Sequence, residues 1–134
     1  MAGRGTELNK NRFTHSRKKF IRILTLLYAI FILVFPYLSP PTPQEISLPW
    51  DKLWHYSVYF LLAILLYLSF PPEDRKILNP NTLYPGILWA ILDESIQGIF
   101  PSRNMDIRDF LSDIGGLTTG FLIIYLIRHI IVRR

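Results

Sequence analysis

The stretch LWHYSVYFLLAILLYLSF, residues 53–70, decides the fold: it is eighteen positions long and contains no Asp, Glu, Lys or Arg. At about 1.5 Å of helical rise per residue it extends roughly 27 Å, enough for a hydrocarbon core of about 30 Å with snorkelling ends. A helix on the surface of a water-soluble domain carries a charged face over such a length. This stretch has none and reads as a membrane span. Asp51-Lys52 precedes it and Pro71-Pro72 stops it.

Outward from this span lie three more apolar segments. Phe20 to Leu38 follows the basic run Arg17-Lys18-Lys19. A secretory signal also starts basic and turns apolar, but Tyr37-Leu38-Ser39-Pro40-Pro41 lacks an A-x-A-like cleavage site, so a retained helix is expected. Leu83 to Phe100 opens with Asn81 as the expected N-cap and Pro85 in the expected first turn. The last runs from about Ile114 to Val132 and ends in Arg133-Arg134. The expectation is an all-α membrane protein, a bundle of about four transmembrane helices: residues 1–19 form a basic N-terminal segment and 20–134 a single membrane domain.

Composition agrees with this and closes other routes. The chain has 134 residues, 50% apolar and 19% charged, which is wrong for a disordered segment. It has no cysteine, which removes disulfides, thiolate metal sites and thiol nucleophiles. The net charge of +5 conceals a segregation. Residues 1–22, the second loop and the C-terminal end together hold twelve basic residues against Glu7, Glu73 and Asp74, or +9; everything else carries three basic against seven acidic, or −4. Basic loops stay in the cytoplasm, so both termini are expected inside. The basic side then needs no nucleic-acid partner, because membrane orientation and anionic membrane lipid explain it.

This topology brings polar groups together. Lys52, His55 and Tyr59 are spaced i, i+3, i+7 at the outer start of the second span; Asp93, Glu94 and Gln97 lie in the outer half of the third; Arg103, Asp106, Asp109 and Asp113 follow before the fourth. Asp93 and Gln97 stand i, i+4, and Asp106, Asp109 and Asp113 repeat i, i+3, i+7 if that stretch is helical. Charges inside a membrane cost about 2.5–3.5 kcal/mol each on insertion scales, so their convergence at one depth points to function.

Each group also has a plainer reading. Asp93 and Glu94 could pair with Lys52 or Arg103 only to hold helices together. His55 could be a hydrogen-bonded packing residue, and Lys52 and Arg103 could snorkel. Asp106 and Asp109 could lie in an aqueous loop where charge is cheap. Trp50, Trp54, Tyr56 and Tyr59 suit an interfacial aromatic belt, and Gly116-x-x-x-Gly120 suits close helix packing.

At these residues the sequence resembles the VanZ-like family of small bacterial membrane proteins. The resemblance rests on Asp51-Lys52-x-x-His55 with Tyr59, on Asp93-Glu94-x-x-Gln97, and on Pro101-x-Arg103 followed by Asp106, Asp109, Asp113, Gly115-Gly116 and Gly120. It covers roughly Leu24 to Leu126. Ile114 departs from it, standing where the family carries a polar residue. The resemblance implies an accessory role in glycopeptide resistance of the teicoplanin type, without an established biochemical activity, and residence in the cytoplasmic (inner) membrane of a bacterium.

Three functional readings follow. The first is an outer-leaflet polar pocket, lined by Lys52, His55, Tyr59, Asp93, Glu94, Gln97, Arg103, Asp106, Asp109 and Asp113, that binds a cation or a cell-envelope amphiphile such as an envelope precursor or an amphiphilic drug. The acidic outer balance repels bare phosphate and suits cations or amines. The second is a membrane enzyme on a lipid-linked substrate, with Asp93, Glu94 and His55 as catalytic candidates; a divalent metal held by His55 and the carboxylates could activate water, although no local spacing such as H-E-x-x-H supports one. Ser102-Arg103…Asp109…Asp113 resembles a lipid-phosphatase motif that requires His where Asp109 stands, so its phosphohistidine chemistry is absent. Proton-coupled transport by so few helices would require a homo-oligomer. The third is a structural or accessory partner with no ligand.

Overall fold

A computed structural model describes residues 3–38, 48–71, 80–99 and 106–132 of the chain. Four helices make up the described residues: α1 (Gly3–Leu38), α2 (Leu48–Ser69), α3 (Pro80–Ile99) and α4 (Ile107–Val132). Three of them contain stretches long and apolar enough to cross a membrane, His15–Leu38, Trp50–Ser69 and Ile107–Ile131. The 20 residues of α3 reach about the same length, but Asp93, Glu94 and Gln97 lower its hydropathy. Its polar groups are turned inward, and all three are buried.

The helices alternate in direction. Arg22 Nε donates to the Ser69 carbonyl at 3.3 Å while Tyr28 hydroxyl donates to the Val58 carbonyl at 3.1 Å, so α1 and α2 are antiparallel. Tyr59 meets Asp93, and Leu66 lies beside Gly86, so α3 also opposes α2. Along the α2–α4 seam both numbers rise together, His55 with Asp113, Tyr56 with Thr119 and Tyr67 with Arg128, so these two run parallel. This seam is the most intimate in the bundle. Its cause is glycine. A Cβ on Gly116 would fall onto the Tyr56 carbonyl oxygen, and one on Gly120 would stand 2.6 Å from the Phe60 carbonyl oxygen and 2.7 Å from the Ala63 Cβ. Without side chains at these two positions the backbones touch, as the small-residue spacing predicts.

The core runs down α2 through Val58, Tyr59, Leu62, Ala63, Leu66 and Tyr67, meeting Ala29 and Ile32 of α1, Ala90 of α3 and Leu117 and Phe121 of α4. Large apolar side chains such as Leu26, Ile30 and Val34 on α1 and Leu122, Leu126 and Ile130 on α4 point outward. In water such faces would be interaction patches; in a bilayer they are the solvated surface.

Several expected boundaries move. The α1 helix begins at Gly3, so residues 3–19 of the basic segment are helical and continue into the first apolar stretch. Asn81 lies inside α3, which starts at Pro80 and contains Pro85 beyond its first turn. The start of α4 is at Ile107, seven residues before the expected Ile114. Asp106 caps it: its carboxylate accepts the Arg108 backbone N–H at 2.9 Å, and its carbonyl accepts from Asp109 and Phe110. The charged stretch 107–113 is helical because its carboxylates share one face, turned to α2, while Ile107, Arg108 and Leu111 face out. The loop Glu73–Lys76 and the terminal Arg133 and Arg134 lie outside the described residues.

Candidate functional site

The polar site occupies the end of the bundle where α2 and α4 begin and α3 finishes. His55, Asp93, Glu94 and Asp113 each stand five to seven residues from the corresponding helix terminus, about 8–11 Å along the axis. Sequence reasoning placed them at one depth, and the structure joins them into one cluster. Its members divide into a mouth and a floor.

Lys52 organises the mouth. Its ammonium lies 3.5 Å from the Asp51 carboxylate and 2.9 Å from that of Asp106, and it donates a short hydrogen bond to Asp109. Among the described residues its ion pairs run to these three, so the expected pairing of Lys52 with Asp93 or Glu94 is replaced by one with the α4 carboxylates. Asp109, expected in an aqueous loop, is buried in the first turn of α4. Asp106 is more open, and the Arg108 backbone N–H, with the Lys52 ammonium after it, holds its carboxyl below the usual carboxylate range.

The floor is drier. His55 Nδ1 lies 2.9 Å from Asp113 Oδ1, and Asp113 is fully buried. The Tyr59 hydroxyl donates to Asp93 Oδ2 and the Gln97 amide to Asp93 Oδ1, both at 3.1 Å. Tyr59 is 0% exposed, which removes it from the aromatic belt and makes it a support for Asp93. Trp50 and Trp54 do face outward at this level, and Tyr56 donates to or accepts from Thr119 on α4 at 2.7 Å. Glu94 Oε2 accepts the Asp106 backbone N–H at 3.2 Å, tying α3 to the cap of α4.

Two oxygens in this floor have no hydrogen-bond partner: Glu94 Oε1, on a residue 1% exposed, and Asp113 Oδ2, on a residue 0% exposed. Buried polar atoms are nearly always paired, so each orphan oxygen here calls for a partner such as a water or an ion. Two trios of side chains also bring one ligating atom each to within 4.8 Å of one another: His55, Asp93 and Asp113, all buried, and Asp51, His55 and Asp109, nearer the surface. Asp51 was absent from the expected pocket; its i, i+4 spacing to His55 on one helix is the signal that could have found it. Arg103 lies outside the described residues. His15 and His129 stand at the other end of the bundle.

The sequence pattern of the VanZ/LLP1 family matches residues 9–128, nearly the whole chain. The chain belongs to the VanZ/LLP1 family. Membership agrees with the resemblance read from the sequence, and connects the chain to a family linked in general to glycopeptide resistance. Among curated proteins, the uncharacterized protein C11E3.10 of Schizosaccharomyces pombe is 26% identical over 109 residues, covering 80% of this chain and 63% of the yeast protein. The chain thus spans somewhat under two thirds of that relative's length. A VanZ/LLP1 chain can therefore have a relative in a eukaryote, so membership by itself carries no bacterial source. No solved structure matches the chain.

Proposed function

We propose that this VanZ/LLP1 protein is a membrane-embedded cation binder, taking a cation or the positively charged group of a cell-envelope amphiphile from the outer side, and that it modulates envelope sensitivity to glycopeptides of the teicoplanin type through that binding. One observation carries the reading: the buried oxygens Glu94 Oε1 and Asp113 Oδ2 lack partners in a floor where the carboxylates of Asp93 and Asp113 meet the His55 imidazole. Buried carboxylates in excess of cations are expensive in a membrane, and an incoming positive charge offsets the cost. Lys52 does not, since Asp51, Asp106 and Asp109 already surround it.

On this reading the protein lies in the cytoplasmic membrane of a bacterium with both termini inside, an orientation that the +9 balance of its basic segments supports. The chain has no cysteine, so a single Cys at Ser102 should react with an impermeant thiol reagent in intact cells and one at Asn79 should not. The reverse labelling overturns the orientation and the outer site with it. The binding itself is tested by native mass spectrometry of the purified full chain: a cationic amphiphile or ion should accompany the wild type and be lost in Asp93→Ala and Glu94→Ala. Retention by correctly folded variants sinks the reading and favours a purely accessory partner.

A second reading, a membrane enzyme on a lipid-linked substrate, is supported by the imidazole–carboxylate pair His55–Asp113 beside the orphan oxygen of Glu94, which are groups suited to general acid–base work. Turnover of such a lipid by the wild type and not by His55→Ala distinguishes it.

A further inference from the structure

The cation of the preceding reading can be narrowed by the ligands themselves. The floor brings an imidazole nitrogen of His55 and carboxylate oxygens of Asp93 and Asp113 to within 4.8 Å of one another, from three different helices. Ligands bound tetrahedrally to one small divalent ion at about 2.0–2.2 Å stand roughly 3.3–3.6 Å apart, so side-chain shifts of about an ångström or less gather them. An ammonium group needs no such convergence and gains little from an imidazole.

Three further features suit an ion. Asp113 is fully buried yet leaves Oδ2 without a partner, although His55 holds its other oxygen. Asp93 is oriented from both sides by the Tyr59 hydroxyl and the Gln97 amide, the kind of outer support that metal-binding carboxylates have. Glu94, the residue after Asp93, carries a second buried oxygen without a partner. We propose that His55, Asp93 and Asp113 form an intramembrane site for a divalent metal ion of the zinc or manganese class. The nitrogen ligand selects against magnesium and calcium, which prefer all-oxygen sets. Three protein ligands leave an open coordination position, and Glu94 is the acceptor for a water or ligand hydroxyl carried there. The inference rests on the cation reading and specifies its cation.

The test uses the full chain in detergent, purified through a tag without histidines and without chelator, then incubated with Zn²⁺ or Mn²⁺ and desalted. About one ion per chain should remain by elemental analysis, and the ion should raise the thermal midpoint of the wild type. Asp113→Asn and Asp93→Asn should each lower retention at least about tenfold, with helicity and elution volume unchanged, while Ser57→Ala retains it. The thermal shift of the wild type keeps the test decisive even where a variant misfolds. Retention below about 0.1 ion per chain with no thermal shift, or equal retention by the folded variants, overturns the metal site. If metal is absent but an amine-bearing amphiphile co-purifies in an Asp93- and Glu94-dependent way, the metal inference fails and the cation reading stands. If neither is found, both fail.

Discussion

The α2–α4 seam contains two unlike halves. From Tyr56 onward the two backbones are in contact at Gly116 and Gly120, and Leu62, Leu117 and Phe121 pack beside them. Before Tyr56 the same helices are separated by charge, Lys52 against Asp109 and His55 against Asp113, with Asp93 and Glu94 pressing in from α3. One half gains from dispersion and close approach, which remain favourable inside a bilayer. The other holds carboxylates where they are expensive and leaves two oxygens unpaired. Close packing and buried charge thus occupy different ends of one interface, and the glycine half sets the register that keeps the charged half together.

The largest expected effect breaks the packing half. Gly116→Leu forces a side chain into the Tyr56 carbonyl, where backbone cannot yield, and should destabilise the fold by about 3 kcal/mol or more in a detergent unfolding titration. Gly115→Ala is its control: a Cβ there meets the Tyr56 ring at an ordinary 3.5 Å, and better helix propensity should keep the change within about 1 kcal/mol of wild type. Equal behaviour of the two variants would contradict the described seam.

Next comes the charged half. Glu94→Gln keeps the shape and an acceptor for the Asp106 N–H while removing a buried charge. It should lower cation binding at least about tenfold, near 1.4 kcal/mol, with stability unchanged or raised. A variant that unfolds instead would show that the carboxylate is structural.

A smaller effect tests whether neutral polar contacts behave like the packing half. Thr25 Oγ1 and Ser69 Oγ lie 2.7 Å apart between α1 and α2, both buried. A double-mutant cycle with Thr25→Val and Ser69→Ala should give a coupling of about 0.6–1 kcal/mol. A coupling near zero would place the hold between these helices entirely in apolar packing.

The smallest concerns the mouth. Asp106 has its carboxyl held below its ordinary range by the Arg108 N–H and Lys52, so its capping contribution is fully present above the ordinary range and disappears as pH falls through the lowered folded value. Asp106→Asn should remove that acid-dependent component from the unfolding midpoint. An unchanged acid limb would assign the loss to other carboxylates.

Much of this was legible in the residues. The unbroken run 53–70 announces a buried environment without any partner being known, and the i, i+3, i+7 carboxylates predict a shared face. The start of α4 was not legible, because charge at 106–113 reads as loop when α2 cannot be seen opposite. Tyr59 stood between two readings for the same reason: an aromatic near a span end suits an interface or a pocket wall equally well until Asp93 is found against its hydroxyl. Asp51 and the destination of Lys52 depend on which α4 turn lies across from α2.

By itself the sequence determined the class of solvent and the groups that cannot face it, because transfer free energy accumulates residue by residue along the chain. Only the tertiary structure decided that His55, Asp93 and Asp113 converge near one point. That convergence follows from the parallel register of α2 on α4, set by backbone contact at Gly116 and Gly120, and from α3 closing over them. No spacing within a single helix encodes such a register.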